Sequence, residues 1–217
     1  MLKKIVVLCL LFSQAAVSAA AFTDIGGSKG EKEINALAEA GIVAGISDTE
    51  FSPQGLVTRA EFAAMAARAF SAEAVPYSGQ FSDVQAGDWF ADDVAAAAGL
   101  GLIDGYDGLF RPNDNVSNEE ACKILVCAFE RRAEPIVGAL AYNTFLSDYF
   151  DVSPWAREYV GKAEMIGCLQ YTSGNKINTM SPKAPCTREN AAVALYNTIN
   201  AVQVYRDTVY MEEDAQW

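Results

Sequence analysis

The side chains available for chemistry in this 217-residue sequence are carboxylates, arginines, indoles and thiols, because it contains no histidine. Ser-His-Asp and Cys-His nucleophilic sites are thereby excluded, as is any zinc site that needs imidazole. The run Asp104-Gly105-Tyr106-Asp107-Gly108 looks like the start of a calcium loop. Tyr106 falls at the third ligand position and no Glu stands at the twelfth, so the spacing fails and no metal site is expected. The 28 Asp+Glu could supply a glycosidase pair by number alone, but a cleft of that kind needs a domain to house it. Asp24, Asp83 and Asp148 recur in one local context and suit turns or caps. Arg59 and Arg188 each fall at the first position of an expected helix, where the helix dipole mildly disfavours a cation and capping requires none. They therefore invite a functional explanation.

Charge and composition narrow the field further. With 16 Lys+Arg against 28 Asp+Glu the net charge is −12, and 51% of residues are apolar. That composition is globular. The sign of the charge excludes nucleic acid as a partner, whose phosphates are bound by clustered cations, and excludes a polybasic membrane-surface role. Residues 1–20 read as an export signal: Lys3 and Lys4 form the charged start, Ile5 to Phe12 an apolar run, and Ser18-Ala19-Ala20 a small-residue cleavage region. Cleavage there removes two lysines, leaving 14 basic against 28 acidic residues and a charge of −14. Leu8 stands before Cys9 where a lipoprotein signal needs a small residue, and no stretch is long enough to span a bilayer. The expectation is a secreted protein without membrane insertion after cleavage.

Four cysteines remain beyond the signal: Cys122, Cys127, Cys168 and Cys186. An exported chain permits disulfides, and Cys168 with Cys186 brackets one long loop, so either a bridge there or buried thiols fit. Cys122 and Cys127 point to different faces of one helix and are not expected to pair.

The elements that must position these residues come in three copies. Phe22-Thr23-Asp24-Ile25, Phe81-Ser82-Asp83-Val84 and Leu146-Ser147-Asp148-Tyr149 open segments 59 and 65 residues apart. Each continues with an apolar pattern of helical period, carried by Ile34, Leu37 and Ala38, by Val94, Ala97 and Ala98, and by Val160 and Ala163. Gly41, Gly101 or Gly167 then ends the helix and an apolar pair follows it, as expected of a left-handed cap. A second glycine, Gly45 or Gly105, turns the loop, with Tyr171 in its place in copy three. The loop closes on Phe51-Ser52-Pro53, Phe110-Arg111-Pro112 or Met180-Ser181-Pro182.

The second helix of each copy begins at Thr58, Ser117 or Thr187. Glu61 and Glu120, three residues on, complete capping boxes in the first two copies, while Asn190 weakens the third. Phe62, Met65 and Phe70, then Ile124, Leu125 and Phe129, then Ala191, Leu195 and Ile199 give these helices an apolar face. One copy cannot bury that face alone, so the three are expected to pack as a single all-α domain over residues 21–201, with repeats at about 22–70, 81–130 and 146–200. Ser71 to Gln80 and Arg131 to Phe145 are the expected linkers, and 202–217 a C-terminal tail.

The succession Phe-x-Asp-Val, Trp, Gly-Ile-Val-x-Gly, Phe-x-Pro and Thr-Arg-Ala-Glu resembles the S-layer homology domain, the module that attaches bacterial surface proteins to the cell wall. The resemblance runs from Phe22 to about Ala201. It implies a pseudo-three-fold bundle of helix-loop-helix repeats with binding grooves between neighbours, no catalysis, no cofactor, and a secondary cell-wall polysaccharide carrying ketal-linked pyruvate as ligand. Arg59 and Arg188 match the family arginine, whose fork suits a carboxylate beside the free N–H groups of a helix N-terminus. Trp89 and Trp155 match the family tryptophan, and Asp24, Asp83 and Asp148 its aspartate. Copy two departs with Asn118 in place of the arginine, and copy one has Lys29 nearest the missing tryptophan. Copy three carries an insertion near Tyr149 to Ser153. At most two competent grooves are therefore expected. The other reading is an exported scaffold whose degenerate grooves have lost glycan and whose surface or tail binds a protein partner; under both, the protein sits at the bacterial cell surface or wall.

Overall fold

Each copy forms its two helices where its apolar period and caps require. The computed structural model describes residues 22–70, 75–136, 146–169, 172–174 and 177–214; the expected export signal and parts of both linkers lie outside these. Copy one contributes α1 (Glu31–Glu39) and α2 (Arg59–Ala69), copy two α3 (Ala91–Gly99) and α4 (Asn118–Arg132), copy three α5 (Arg157–Met165) and α6 (Arg188–Asp214). Ile34 and Leu37, Val94 and Ala97, and Val160 and Ala163 are all buried, so the first-helix pattern faces the core as its spacing requires. Gly41, Gly101 and Gly167 end these helices with φ of 70°, 71° and 71°, a conformation a side chain would oppose.

The second helices are capped as their sequences specify. Thr58 and Glu61 form a complete capping box, as do Ser117 and Glu120. In copy three only the hydroxyl half exists: Asn190 N–H donates to Thr187 Oγ1 at 3.2 Å.

The three copies close into a ring. Helices α2, α4 and α6 pack on one another in the centre, and each first helix lies on the second helix of the preceding copy: α3 on α2, α5 on α4, α1 on α6. At the pseudo-three-fold axis three backbone bonds form a triangle. Val57 N–H donates to Cys186 O at 3.1 Å, Cys186 N–H to Val116 O at 2.8 Å, and Val116 N–H to Val57 O at 3.0 Å. Cys186 is thus copy three's counterpart of two fully buried valines.

The cysteines are explained by the same repetition. Cys168 follows Gly167 as Ile42 follows Gly41, and Cys122 sits on α4 where Ala63 sits on α2. Of the two readings open for Cys168 and Cys186, the structure has buried thiols without a disulfide, and Cys122 and Cys127 form none either. Burial pushes the Cys168 and Cys186 thiols up to about 12, and Cys122 well above its ordinary value, so none is poised as a thiolate.

Two features differ from the sequence expectation. The loop of copy three carries a two-stranded antiparallel ribbon, β1 (Thr172–Gly174) with β2 (Ile177–Thr179), an addition to the all-α plan. The C-terminal tail is no separate segment up to Asp214. No glycine or proline interrupts the chain from Arg188 onward, so α6 continues for 27 residues. Its extension leans on α4, where the Tyr205 ring meets Phe129 edge-on at 6.1 Å and Arg206 Nε donates to Arg132 O at 3.3 Å. Among the described residues no helix is long and apolar enough to cross a membrane.

Candidate functional site

The three loops are held by the three aspartates. Asp24 accepts from Phe51 N–H at 2.9 Å and Ser52 N–H at 2.6 Å. Asp83 accepts from Phe110 and Arg111 N–H at 2.8 and 2.7 Å, and Asp148 from Met180 and Ser181 N–H at 3.2 and 2.7 Å. The residue between the aromatic or Met anchor and the proline is forced into the left-handed region, with φ of 60° at Ser52, 61° at Arg111 and 52° at Ser181. The aspartate bonds offset that strain. Their carboxylates are therefore engaged as loop staples, the turn role that their local context suggests.

The loop turn is tight for a second reason. A Cβ on Gly105 would lie 2.6 Å from the Phe81 ring and 2.7 Å from Leu109 O, and Gly45 is confined in the same way.

The Phe51 and Ser52 amides hold the Asp24 carboxyl below its ordinary 3.8. At Glu189, burial raises the carboxyl, but hydrogen bonds from Ser28, Gly30 and Gln54 outweigh it and the value falls below 4.5. A depressed folded value means the unfolded chain binds more protons in acid. Stability contributed by both groups is complete above about pH 5 and is lost as the pH falls through the folded values. We expect the urea midpoint to fall between pH 6 and pH 3, and Asp24→Asn to flatten that dependence; an identical slope in the variant would show the staple to be energetically silent.

Arg59 and Arg188 reach across to the loop of the following copy. Arg59 Nε donates to Phe110 O at 2.9 Å, Nη1 to Glu120 Oε1 at 2.8 Å and Nη2 to Asp104 O at 3.3 Å, with the guanidinium over the Phe110 ring. Arg188 repeats this one step around the ring: Nε to Phe51 O at 2.7 Å, Nη2 to Ala44 O at 2.5 Å, Nη1 3.5 Å from Glu61 Oε1, and the guanidinium over Phe51. Burial lowers the Arg188 value, against Glu61 and Asp24, which raise it. Each arginine thus clamps a loop through two of its carbonyls and pairs with a glutamate on the second helix of the same copy. Glu61 and Glu120 serve twice, capping their own helix and pairing with the preceding copy's arginine.

The helix N-termini are not free. Arg59 and Ala60 N–H donate to Asp114 O and Pro112 O, Asn118 and Glu119 N–H to Ala184 O and Pro182 O, and Arg188 and Glu189 N–H to Gly55 O and Pro53 O, all between 2.8 and 3.0 Å. These N–H groups are therefore occupied at all three helices, because the neighbouring loop supplies carbonyls to them.

What the ring does bring together is a groove. Arg59 of copy one, the loop of copy two and Trp155 of copy three line a cavity of about 440 Å³. A second cavity of about 550 Å³ is its three-fold counterpart, lined by Asn118, the Thr179–Ser181 segment and Lys29. The same rotation assigns Arg188, the loop of copy one and Trp89 to the third position. Two substitutions that lie 89 residues apart in the sequence, Lys29 and Asn118, therefore share one groove. Asn190, which replaces the capping-box glutamate, lines that groove as well. Where the arginine is gone its glutamate partner is gone too. Asn118 Nδ2 still spans to Met180 O and Ser181 O at 2.9 and 3.0 Å, so the loop contact survives without charge.

Trp89 and Trp155 are 63% and 50% exposed, an uncommon state for indoles that packing does not require. A family model for the S-layer homology domain matches residues 21–63 and 80–122. The chain belongs to the S-layer homology domain family. These domains are cell-wall anchoring modules, and the third copy, beyond the matched ranges, repeats the geometry of the first two.

Curated relatives extend the similarity. The chain is 37% identical over 178 residues to an amylopullulanase of Thermoanaerobacterium thermosulfurigenes, covering 82% of this chain and 9% of that protein. It is 35% identical over 181 residues to an exoglucanase of Acetivibrio thermocellus, covering 82% of this chain and 16% of the relative. It is 32% identical over 188 residues to the surface-layer 125 kDa protein of Lysinibacillus sphaericus, covering 85% and 15%. The chain thus spans less than a fifth of each of these relatives.

Residues not singled out from sequence complete the site. Glu119 and Glu189, both buried, hold the next copy's first helix: Glu119 accepts from Ser153 N–H and Oγ at 2.9 and 2.6 Å, and Glu189 from Gly30 N–H at 2.9 Å. Their shared place, two residues after the cap, was a readable signal. Tyr106 and Arg111 on the loop and Lys123 on α4 line the first groove, and only the fold brings them there.

Proposed function

We propose that this protein is an exported, non-catalytic module that holds itself, and whatever it is joined to, at the bacterial cell surface by binding an anionic wall polysaccharide, pyruvylated by preference, in two of its three inter-copy grooves. The observation that carries this reading is the pairing of a clamped arginine with an exposed indole across one cavity, Arg59 with Trp155, repeated by symmetry at Arg188 and Trp89. An indole face covers the apolar side of a sugar ring while polar groups around it fix the hydroxyls. Arg59 keeps two N–H donors beyond its contacts with Phe110 O, Asp104 O and Glu120 for a ligand oxygen. The groove of Lys29, Asn118 and Asn190 lacks indole, arginine fork and capping-box glutamate together, and is the one that does not bind.

The relatives support the non-catalytic assignment. An amylopullulanase, an exoglucanase and a surface-layer protein have different jobs by name, yet all match this same short segment. A segment common to unlike activities is suited to attachment. Because the mature chain carries excess negative charge, long-range attraction to an anionic polymer is unfavourable, and binding draws on local donors.

Co-sedimentation with walls purified from the source organism tests the proposal. The protein should pellet with native walls and stay in solution once acid extraction has removed the secondary polymer. Equal pelleting with both walls would sink the glycan reading, and failure to pellet with either would favour capture of an exported protein partner.

A further inference from the structure

We infer that the first groove is selective for a carboxylate through Arg111, seated beside Tyr106, and that Arg111 rather than Arg59 forms the ion pair with an acidic sugar substituent. The inference rests on the glycan-binding reading above and names the ligand contact within it.

The charges lining this groove largely cancel. Arg59 pairs with Glu120 at 2.8 Å, and Lys123 with Asp104. Two charged side chains remain, Arg111 and Asp114, and among the described residues neither forms an ion pair. Arg59 is also committed to Phe110 O and Asp104 O. Arg111 is exposed, its guanidinium 5.9 Å from the Tyr106 ring centre. A planar fork that keeps its donors uncommitted takes a carboxylate bidentately, while Asp114 is suited to accept from sugar hydroxyls and Trp155 to cover the ring face.

The position is rigid. Arg111 N–H is fixed by Asp83 at 2.7 Å. Tyr106 and Leu109 exchange backbone bonds of 2.9 and 3.1 Å around Asp107 and Gly108, both at positive φ, so the aromatic wall is held by a tight turn. A long side chain gains nothing from φ of +61°. The equivalent residues are Ser52 and Ser181, at φ of 60° and 52°, so the fold accepts serine here and does not itself call for arginine. Ile46 stands where Tyr106 stands, after the loop glycine. The cation and its aromatic neighbour therefore occur together in the first groove and not in the third.

The test compares wild type, Arg111→Ser and Arg111→Lys by calorimetric titration with a methyl hexoside bearing a pyruvyl ketal, and with the methyl ester of that ketal as the uncharged probe. Wild type should bind the acid well and the ester weakly. Arg111→Ser should lose about ten- to hundred-fold in affinity for the acid, the range for a hydrogen-bonded charged contact, with the ester unaffected. Arg111→Lys should fall between the two. The urea midpoint should match wild type, since serine is native at this φ in the other copies.

Full affinity of Arg111→Ser for the acid, or equal wild-type affinity for acid and ester, overturns the inference. In either case retained wall pelleting leaves the glycan reading standing. Absence of both acid binding and wall pelleting in wild type would instead remove that reading, and this one with it.

Discussion

Arg188→Ala should destabilise the fold by about 2–4 kcal/mol, the range for stranding two buried acceptors together with the loss of a partly buried cation. Arg188 is 8% exposed, and its guanidinium lies between the Phe51 ring, the Phe51 and Ala44 carbonyls, and Glu61. Its removal strands two carbonyls beneath the loop of copy one and leaves Glu61 without its cation. This contact also closes the ring, because it joins the last copy to the first, residues 144 apart. Arg59→Ala removes the corresponding contacts from a more exposed cation, 17% against 9% for the Arg188 side chain, so water can replace more of what is lost. Urea unfolding should therefore order the midpoints as wild type, then Arg59→Ala, then Arg188→Ala. An unchanged m-value would mark the effect as native-state destabilisation. If the Arg188→Ala midpoint equals that of wild type, the clamp contributes nothing and its donors are spare for ligand.

The same contrast shows what could be read in the sequence and what could not. The repeat, the helix starts at Thr58 and Ser117 and the stops at Gly41, Gly101 and Gly167 are local events, each decided by a side chain or a φ value within a few residues. They were legible for that reason. The function of Arg59 was harder to see because it is decided by Phe110 O and Asp104 O, backbone atoms whose presence no residue type announces. The helix N-termini misled in the same way: a first turn in isolation offers free N–H groups, but here the carbonyls at Pro53, Pro112 and Pro182 occupy them.

Asp24, Asp83 and Asp148 show the opposite case, since turn chemistry alone suggested their structural place before any resemblance suggested a ligand. The extent of α6 was missed because the repeat pattern stops near Ala201, whereas the helix follows propensity and has no breaker to end it. The meeting of Lys29 with Asn118 and Asn190 could not be read at all without the direction in which the ring closes.

Trp89 and Trp155 carry the largest expected effect on attachment. If two grooves hold one polymer, the second contact is intramolecular and overall avidity exceeds that of one groove by about 10²–10⁴. Trp155→Ala removes the platform facing Arg59, and Trp89→Ala its symmetry mate. Each single variant should therefore fall by most of that factor, to the affinity of the remaining groove, and the double variant should leave native walls altogether. Truncating exposed indoles should move the urea midpoint little, because Trp89 and Trp155 bury only part of their area. Lys29→Ala acts on the groove that has already lost its indole, fork and glutamate, so wall binding should stay within about two-fold of wild type, well under the 1.4 kcal/mol of a tenfold change. Depletion titrations with purified walls read wild type and all four variants on one scale. A Lys29→Ala loss as large as that of Trp155→Ala would place the ligand in the wrong groove, whereas equal, additive losses from the two tryptophans would mean that the grooves bind separate chains rather than one.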